Sequence, residues 1–250
     1  MNFKAQIPNL FTMLNLFCGC VALVMVTSWK FEAAFYFVCL GIFFDFFDGF
    51  FARKFGVAGP LGVQLDSLAD MVTSGVVPGY IMFTVLNRIE LSEYMKNPHG
   101  LFDGTPVFYL PFLAFVITIG ACYRLAKFNI DERQSDFFIG LPTPANALFI
   151  SSLPLVIAHY PSNFISEYLS NQWVLIVISL VSAYIMNAEI PLFSLKIKDF
   201  SFAKYKLQIF FLALSVLLLI FLQILAVPLI IIIYVLLSVI NKIVNKKASI

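Results

Sequence analysis

Four aspartates in otherwise apolar sequence carry the chemistry of this chain: Asp45, Asp48, Asp66 and Asp70. A carboxylate at the centre of a membrane span costs about 2.5–3.5 kcal/mol on insertion scales, so such residues mark function. Asp45 and Asp48 are i,i+3, and Asp66 and Asp70 are i,i+4, so each pair shares one helix face. Gly56, Gly59, Pro60 and Gly62 lie between the pairs. A short glycine-rich connection makes the two helices antiparallel neighbours, and the four carboxylates converge at one end. Clustered carboxylates repel one another and need a cation. Arg53 and Lys54 do not balance them. An all-oxygen site suits Mg²⁺ or Mn²⁺, and two ions could share it. Such ions commonly hold substrate phosphates as well. Gly49, Ala52 and Gly62 leave room for a flat nucleotide or a pyrophosphate, and Arg53, one turn past Gly49, is placed to clamp a phosphate.

The elements that position these residues are membrane helices. The 250 residues are 61% hydrophobic and 12% charged, with mean hydropathy +0.93. A soluble domain is nearer half apolar and a quarter charged. This excludes a soluble enzyme, a nucleic-acid binder and a disulfide-stapled secreted domain. Hydropathy places eight spans near 9–28, 32–54, 63–87, 106–127, 143–160, 172–190, 207–225 and 226–244. The last two form a tight hairpin about Ala226-Val227-Pro228. Eight spans put both termini on one side. Thirteen of the 16 Lys and Arg fall on that side, and only Lys30, Arg88 and Lys96 on the other. The positive-inside rule then makes the termini and the acidic end cytoplasmic. The basic connection carrying Lys196, Lys198, Lys204 and Lys206 is read as a topology determinant that also attracts anionic lipid. The fold class is an all-α polytopic bundle of about eight transmembrane helices with a cytoplasm-facing cavity. Six spans in 1–205 form the main unit, and residues 206–250 form a two-span hairpin in the same bundle.

Other reactive residues read blandly. Cys18, Cys20, Cys39 and Cys122 lie in apolar runs and pack. His99 and His159 stand apart, so no zinc constellation exists. Charge and spacing leave three readings of the aspartates: a phosphoryl-transfer enzyme, a cation or proton transporter, or a structural network. A transporter should carry a second copy of the pattern in its other half. Residues 125–250 contain none.

Asp45-x-x-Asp48-Gly49-x-x-Ala52-Arg53, eight residues, then Gly62-x-x-x-Asp66-x-x-x-Asp70 resembles the full motif of the CDP-alcohol phosphatidyltransferase family. Eight specified positions fall within 26 residues. Ile7-Pro8-Asn9-Leu10-Phe11-Thr12 resembles the family's entry segment, and Asp66 to Pro78 and Arg124-Leu125-Ala126-Lys127-Phe128-Asn129 with Gly140 to Ala145 resemble its bacterial phosphatidylserine synthases. Lys127 stands where that subfamily usually has Arg, and Ser74 where it commonly has Phe.

The resemblance implies transfer of a phosphatidyl group from CDP-diacylglycerol to the hydroxyl of L-serine, with release of CMP. The alternative acceptor is glycerol-3-phosphate or an inositol. It implies that Asp45, Asp48, Asp66 and Asp70 hold two Mg²⁺ or Mn²⁺ ions, with Asp70 also the general base. It places the cytidine diphosphate on Gly49, Ala52, Arg53 and Gly62. Asn9 and Thr12 are candidates for the donor phosphate, with capping of the first helix the competing reading. Arg124, Lys127 and Asn129 are the acceptor candidates; the competing reading of the two cations is ordinary interfacial anchoring. A homodimer in the bacterial inner (cytoplasmic) membrane, surrounded by lipid and binding no nucleic acid, completes the expectation.

Overall fold

The computed structural model describes residues 3–96, 108–131, 138–161, 163–193 and 206–248. The histidine at 99 and the lysines at 196, 198 and 204 lie outside the described residues. The described chain is helical apart from one pair of two-residue strands.

Helix α1 (Phe3–Thr27) ends at a left-handed residue, Trp29, with φ 60°. The Lys30 N–H closes the turn on the Met25 carbonyl at 2.9 Å. Helix α2 (Phe31–Phe55) ends at Gly56, φ 64°, whose N–H meets the carbonyls of Ala52 and Arg53. Glycine takes this left-handed cap without the clash of a Cβ, and Arg53 and Lys54 in the last turn complement the helix dipole. Helix α3 (Pro60–Asp70) restarts with proline in its first turn, where no N–H is needed. Four residues therefore separate the C-terminus of α2 from the N-terminus of α3.

After Asp70 the helix widens into a π-turn over Met71–Val76, then continues as α4 (Val77–Lys96). Pro78 lacks the N–H that an α-helix would direct to the Ser74 carbonyl. In the same turn, the Gly75 carbonyl accepts from the Thr118 hydroxyl at 3.0 Å. The third expected span thus runs as one stretch, Pro60–Lys96, longer than hydropathy placed it because the polar end of α4 stays helical.

A 3₁₀ turn at Leu110–Phe115 leads into α5 (Val116–Ile130). Strands β1 (Phe138–Ile139) and β2 (Pro191–Leu192) pair antiparallel, Phe138 opposite Leu192. Between them lie α6 (Thr143–His159), the short α7 (Phe164–Leu169) and α8 (Gln172–Asn187). Asn163 and Asn171 cap α7 and α8 by accepting from the N–H two residues on.

Helices α9 (Lys206–Leu222) and α10 (Ala226–Ala248) are one apolar stretch folded back on itself. The reversal sits at Gln223, φ 47°, in a 3₁₀ turn over Gln223–Leu225. Phe211 and Tyr234, 23 positions apart, consequently pack as a tilted pair with ring centroids 5.6 Å apart. The turn precedes its expected place: Ala226, Val227 and Pro228 are the first turn of α10, where a proline is tolerated. Counting α3 with α4 as one and setting aside the short α7, eight apolar arms result among the described residues, and the chain is an all-α polytopic membrane protein.

The main core lies among α4, α5, α6 and α8, with Leu86, Ile117, Ile150, Leu175 and Met186 wholly or almost wholly buried. A smaller cluster joins α1, α2, α4 and α6 through Ala22, Val38, Ile81 and Ala147. Both leave the N-terminal end of α1, the C-terminal end of α2 and the start of α3 to form the site.

Candidate active site

At that end, one carboxylate oxygen from each of Asp45, Asp48 and Asp66 lies within 4.8 Å of the others. Asp45 and Asp48 come from the last turns of α2 and Asp66 from α3, brought together by the Gly56–Gly59 connection. Oδ1 of Asp66 is buried and has no hydrogen-bond partner among the described residues. A buried acceptor left unpaired costs about 1–3 kcal/mol. Three close carboxylates and an orphaned oxygen fit a hard divalent cation.

Helix α1 supplies the polar support. The Thr12 hydroxyl donates to Asp48 Oδ2 at 2.6 Å, with the Pro8 carbonyl also within reach at 3.2 Å. One turn on, Asn15 Nδ2 donates to Asp70 Oδ1 at 3.0 Å. The Thr73 hydroxyl, in the π-turn, donates to the Asn15 carbonyl at 3.0 Å. Thr12, Asn15, Asp70 and Thr73 are all buried. These contacts require close helix approach. A Cβ on Gly41 would come within 2.8 Å of both Asn15 Oδ1 and Thr73 Cγ2. Beside the site, Phe11 packs against Phe47 and Phe51, with centroids at 5.9 and 5.3 Å, fixing the register of α1 on α2. Phe47 and Phe51 are therefore part of the helix seam.

A cavity of about 350 Å³ opens beside the carboxylates. Asn9, Thr12, Gly49, Ala52, Arg53 and Gly62, the six residues expected to hold a cytidine diphosphate, all line it, together with Asp48 and Asp66. The Arg53 guanidinium lies back over Gly49, where an added Cβ would sit 3.3 Å from Nη1. Gly62 faces Asn9, with Oδ1 at 3.9 Å from the same construction. Asp70 lies one turn deeper than Asp66, outside both the three-oxygen group and the cavity lining.

The acceptor candidates are dispersed. Arg124 is buried, and its Nη2 reaches the Gly140 carbonyl at 3.4 Å. Asn129 exchanges hydrogen bonds with Ser67 at 2.9 and 3.2 Å, joining α5 to α3 next to Asp66. Lys127 is partly exposed, and none of the three lines the 350 Å³ cavity.

Asn15, Ser67 and Thr73 are the residues sequence reasoning undervalued or missed. Asn15 follows Thr12 by three positions in an apolar run, and that spacing was the available signal.

The profile of the CDP-alcohol phosphatidyltransferase family matches residues 5–185. The Bacillus subtilis CDP-diacylglycerol–serine O-phosphatidyltransferase is 33% identical over 142 residues, covering 55% of this chain and 69% of that protein. The Helicobacter pylori protein of the same name is 28% identical over 218 residues, covering 86% and 81%. An archaetidylserine synthase of Methanothermobacter thermautotrophicus is 28% identical over 188 residues, covering 74% and 69%.

Proposed function

The chain belongs to the CDP-alcohol phosphatidyltransferase family, and from that premise we propose that it transfers the phosphatidyl group of CDP-diacylglycerol to the hydroxyl of L-serine, releasing CMP. The observation that carries the reading is the cavity that joins Gly49, Ala52, Arg53 and Gly62 to the carboxylates of Asp48 and Asp66. The serine acceptor is supported by the names of the relatives above.

Gly49, Ala52 and Gly62 offer a wall of small side chains for the nucleotide, and Arg53 at the cavity wall meets its phosphates. Asn9 and Thr12 face the same space, and Thr12 also holds Asp48 in place. Asp45, Asp48 and Asp66 hold divalent metal, with Asp70 at the deeper edge. Two Mg²⁺ or Mn²⁺ ions, when bound, neutralise the diphosphate and stabilise the leaving phosphate. Asp70, oriented by Asn15, accepts the serine hydroxyl proton. The serine oxygen bonds to the phosphorus bearing diacylglycerol, the bond from that phosphorus to the CMP oxygen breaks, and CMP leaves. Arg124, Lys127 and Asn129 border the serine side. Chemistry of this kind rests on positioning and charge neutralisation.

The Lys and Arg asymmetry supports a cytoplasmic site and cytoplasmic termini in a bacterial inner membrane. Residues 1–205 form the catalytic unit and 206–250 the added hairpin. The active form is a homodimer, as the family resemblance implies, which crosslinking in native membranes tests. The function itself is tested by incorporation of labelled serine into chloroform-soluble lipid in membranes containing the chain. Incorporation that depends on CDP-diacylglycerol and is lost in Asp70→Asn is expected. Equal incorporation by the variant contradicts the role of Asp70.

A further inference from the structure

A cavity of about 540 Å³ lies away from the acidic site. One stripe of α4 lines it: Arg88, Ser92, Glu93 and Lys96, with Phe31 and Ile157 among its apolar walls. Arg88 is 18 residues past Asp70, which at about 1.5 Å per residue is roughly 27 Å, close to the thickness of a hydrocarbon core. The cavity is therefore at the opposite membrane interface.

Arg88, Glu93 and Lys96 are exposed, and among the described residues none makes an ion pair. Arg88 is nonetheless held: its guanidinium lies 5.3 Å from the centroid of the Trp29 ring. Trp29 occupies the left-handed cap of α1, a conformation costly for any residue with a Cβ, and packs edge-on to Phe31 at 6.0 Å. The helix end thus carries an aromatic ring that fixes a cation at the mouth of a half-apolar cavity.

We propose that this cavity binds the headgroup of a phospholipid carrying a phosphate, a carboxylate and an ammonium. Two cations and one anion in the site face two anions and one cation in such a headgroup. Arg88 and Lys96 take the phosphate and carboxylate, Glu93 takes the ammonium, and Ser92 adds a hydroxyl. The apolar walls receive the first carbons of the acyl chains, which selects a lipid over a free amino-acid phosphate. The charge match does not use the reaction chemistry, so its failure leaves the proposed activity standing. The lipid that reaction makes has this headgroup, which places a product-binding site on the far leaflet.

The chain has two tryptophans, so Trp173→Phe leaves Trp29 as the reporter. This protein, in detergent, is titrated with short-chain phosphatidylserine, phosphatidylglycerol or phosphatidylcholine, or with free O-phosphoserine, while Trp29 fluorescence is followed. A product bound at the acidic site is too distant to contact Trp29. A saturable change with phosphatidylserine is expected, weakened about tenfold in Lys96→Gln and in Glu93→Gln, as loss of a charged hydrogen bond implies. CMP release by both variants stays at the parent level. No saturable response, or parental affinity in both variants, overturns the proposal. An equal response to phosphatidylglycerol or phosphatidylcholine overturns the headgroup match, and an equal response to O-phosphoserine overturns the lipid.

Discussion

Asn15 and Asp70, 55 positions apart, are joined by a buried hydrogen bond from the Asn15 amide to Oδ1 of Asp70 at 3.0 Å. The bond fixes the direction of the Asp70 carboxylate and leaves its second oxygen for the proton transfer proposed above. Its donor is itself anchored, because the Asn15 carbonyl accepts from Thr73. Asn15→Leu removes the donor and keeps the branched outline of the side chain. A hydrogen bond to a charged group is worth about 1.5–3 kcal/mol, so kcat should fall roughly 10- to 100-fold with little change in the KM for CDP-diacylglycerol. An unchanged kcat would show that Asp70 is oriented by other contacts.

Thr12 does the same for Asp48, at 2.6 Å. Thr12→Val keeps the shape and removes the hydroxyl. The divalent ion concentration giving half-maximal activity should rise by about tenfold, as expected for loss of a group that orients a metal ligand, while Thr12→Ser stays near the parent. Manganese titration of both variants checks this, and identical curves would separate Thr12 from the metal.

Arg53 is exposed and lies over Gly49 at the cavity wall. Arg53→Ala should raise KM for the CDP-linked donor about tenfold or more. Arg53→Lys should recover only part of the loss, because an ammonium lacks the planar fork. Steady-state kinetics at saturating serine measure both. A full recovery by lysine would mean that charge alone suffices.

Gly41→Ala should cost stability. The added methyl would sit 2.8 Å from Asn15 Oδ1 and from Thr73 Cγ2. Overpacking of this kind costs about 1–3 kcal/mol. Thermal unfolding in detergent should shift down by several degrees, and Asn15 should be displaced enough to lower turnover as well. An unshifted transition would show that α1 and α2 separate without penalty.

The acidic motif and its helices were legible because a carboxylate in an apolar run stands out, and Gly56 and Pro60 mark the turn between helices. Residues that merely hold the aspartates were harder to see. Asn15 and Thr73 are 58 positions apart and meet only because the π-turn after Asp70 changes the phase of the helix. A hydropathy pattern of period 3.6 does not report that change. The hairpin turn was misplaced because Gln223 adopts a left-handed conformation without the glycine that usually announces one. The acceptor candidates looked like one group because Arg124 and Lys127 are i,i+3. The Arg124 guanidinium instead turns to the Gly140 carbonyl, across a connection whose path local spacing does not encode.

The central claim is a metal-dependent transfer to serine, and CMP release by the purified protein tests it most directly. CDP-diacylglycerol and Mn²⁺ or Mg²⁺ are supplied with serine, glycerol-3-phosphate or inositol in separate reactions, each repeated with a chelator. The account predicts CMP release only with serine and only with the ion present. Release with another alcohol and not with serine, or release that persists under chelation, would contradict it.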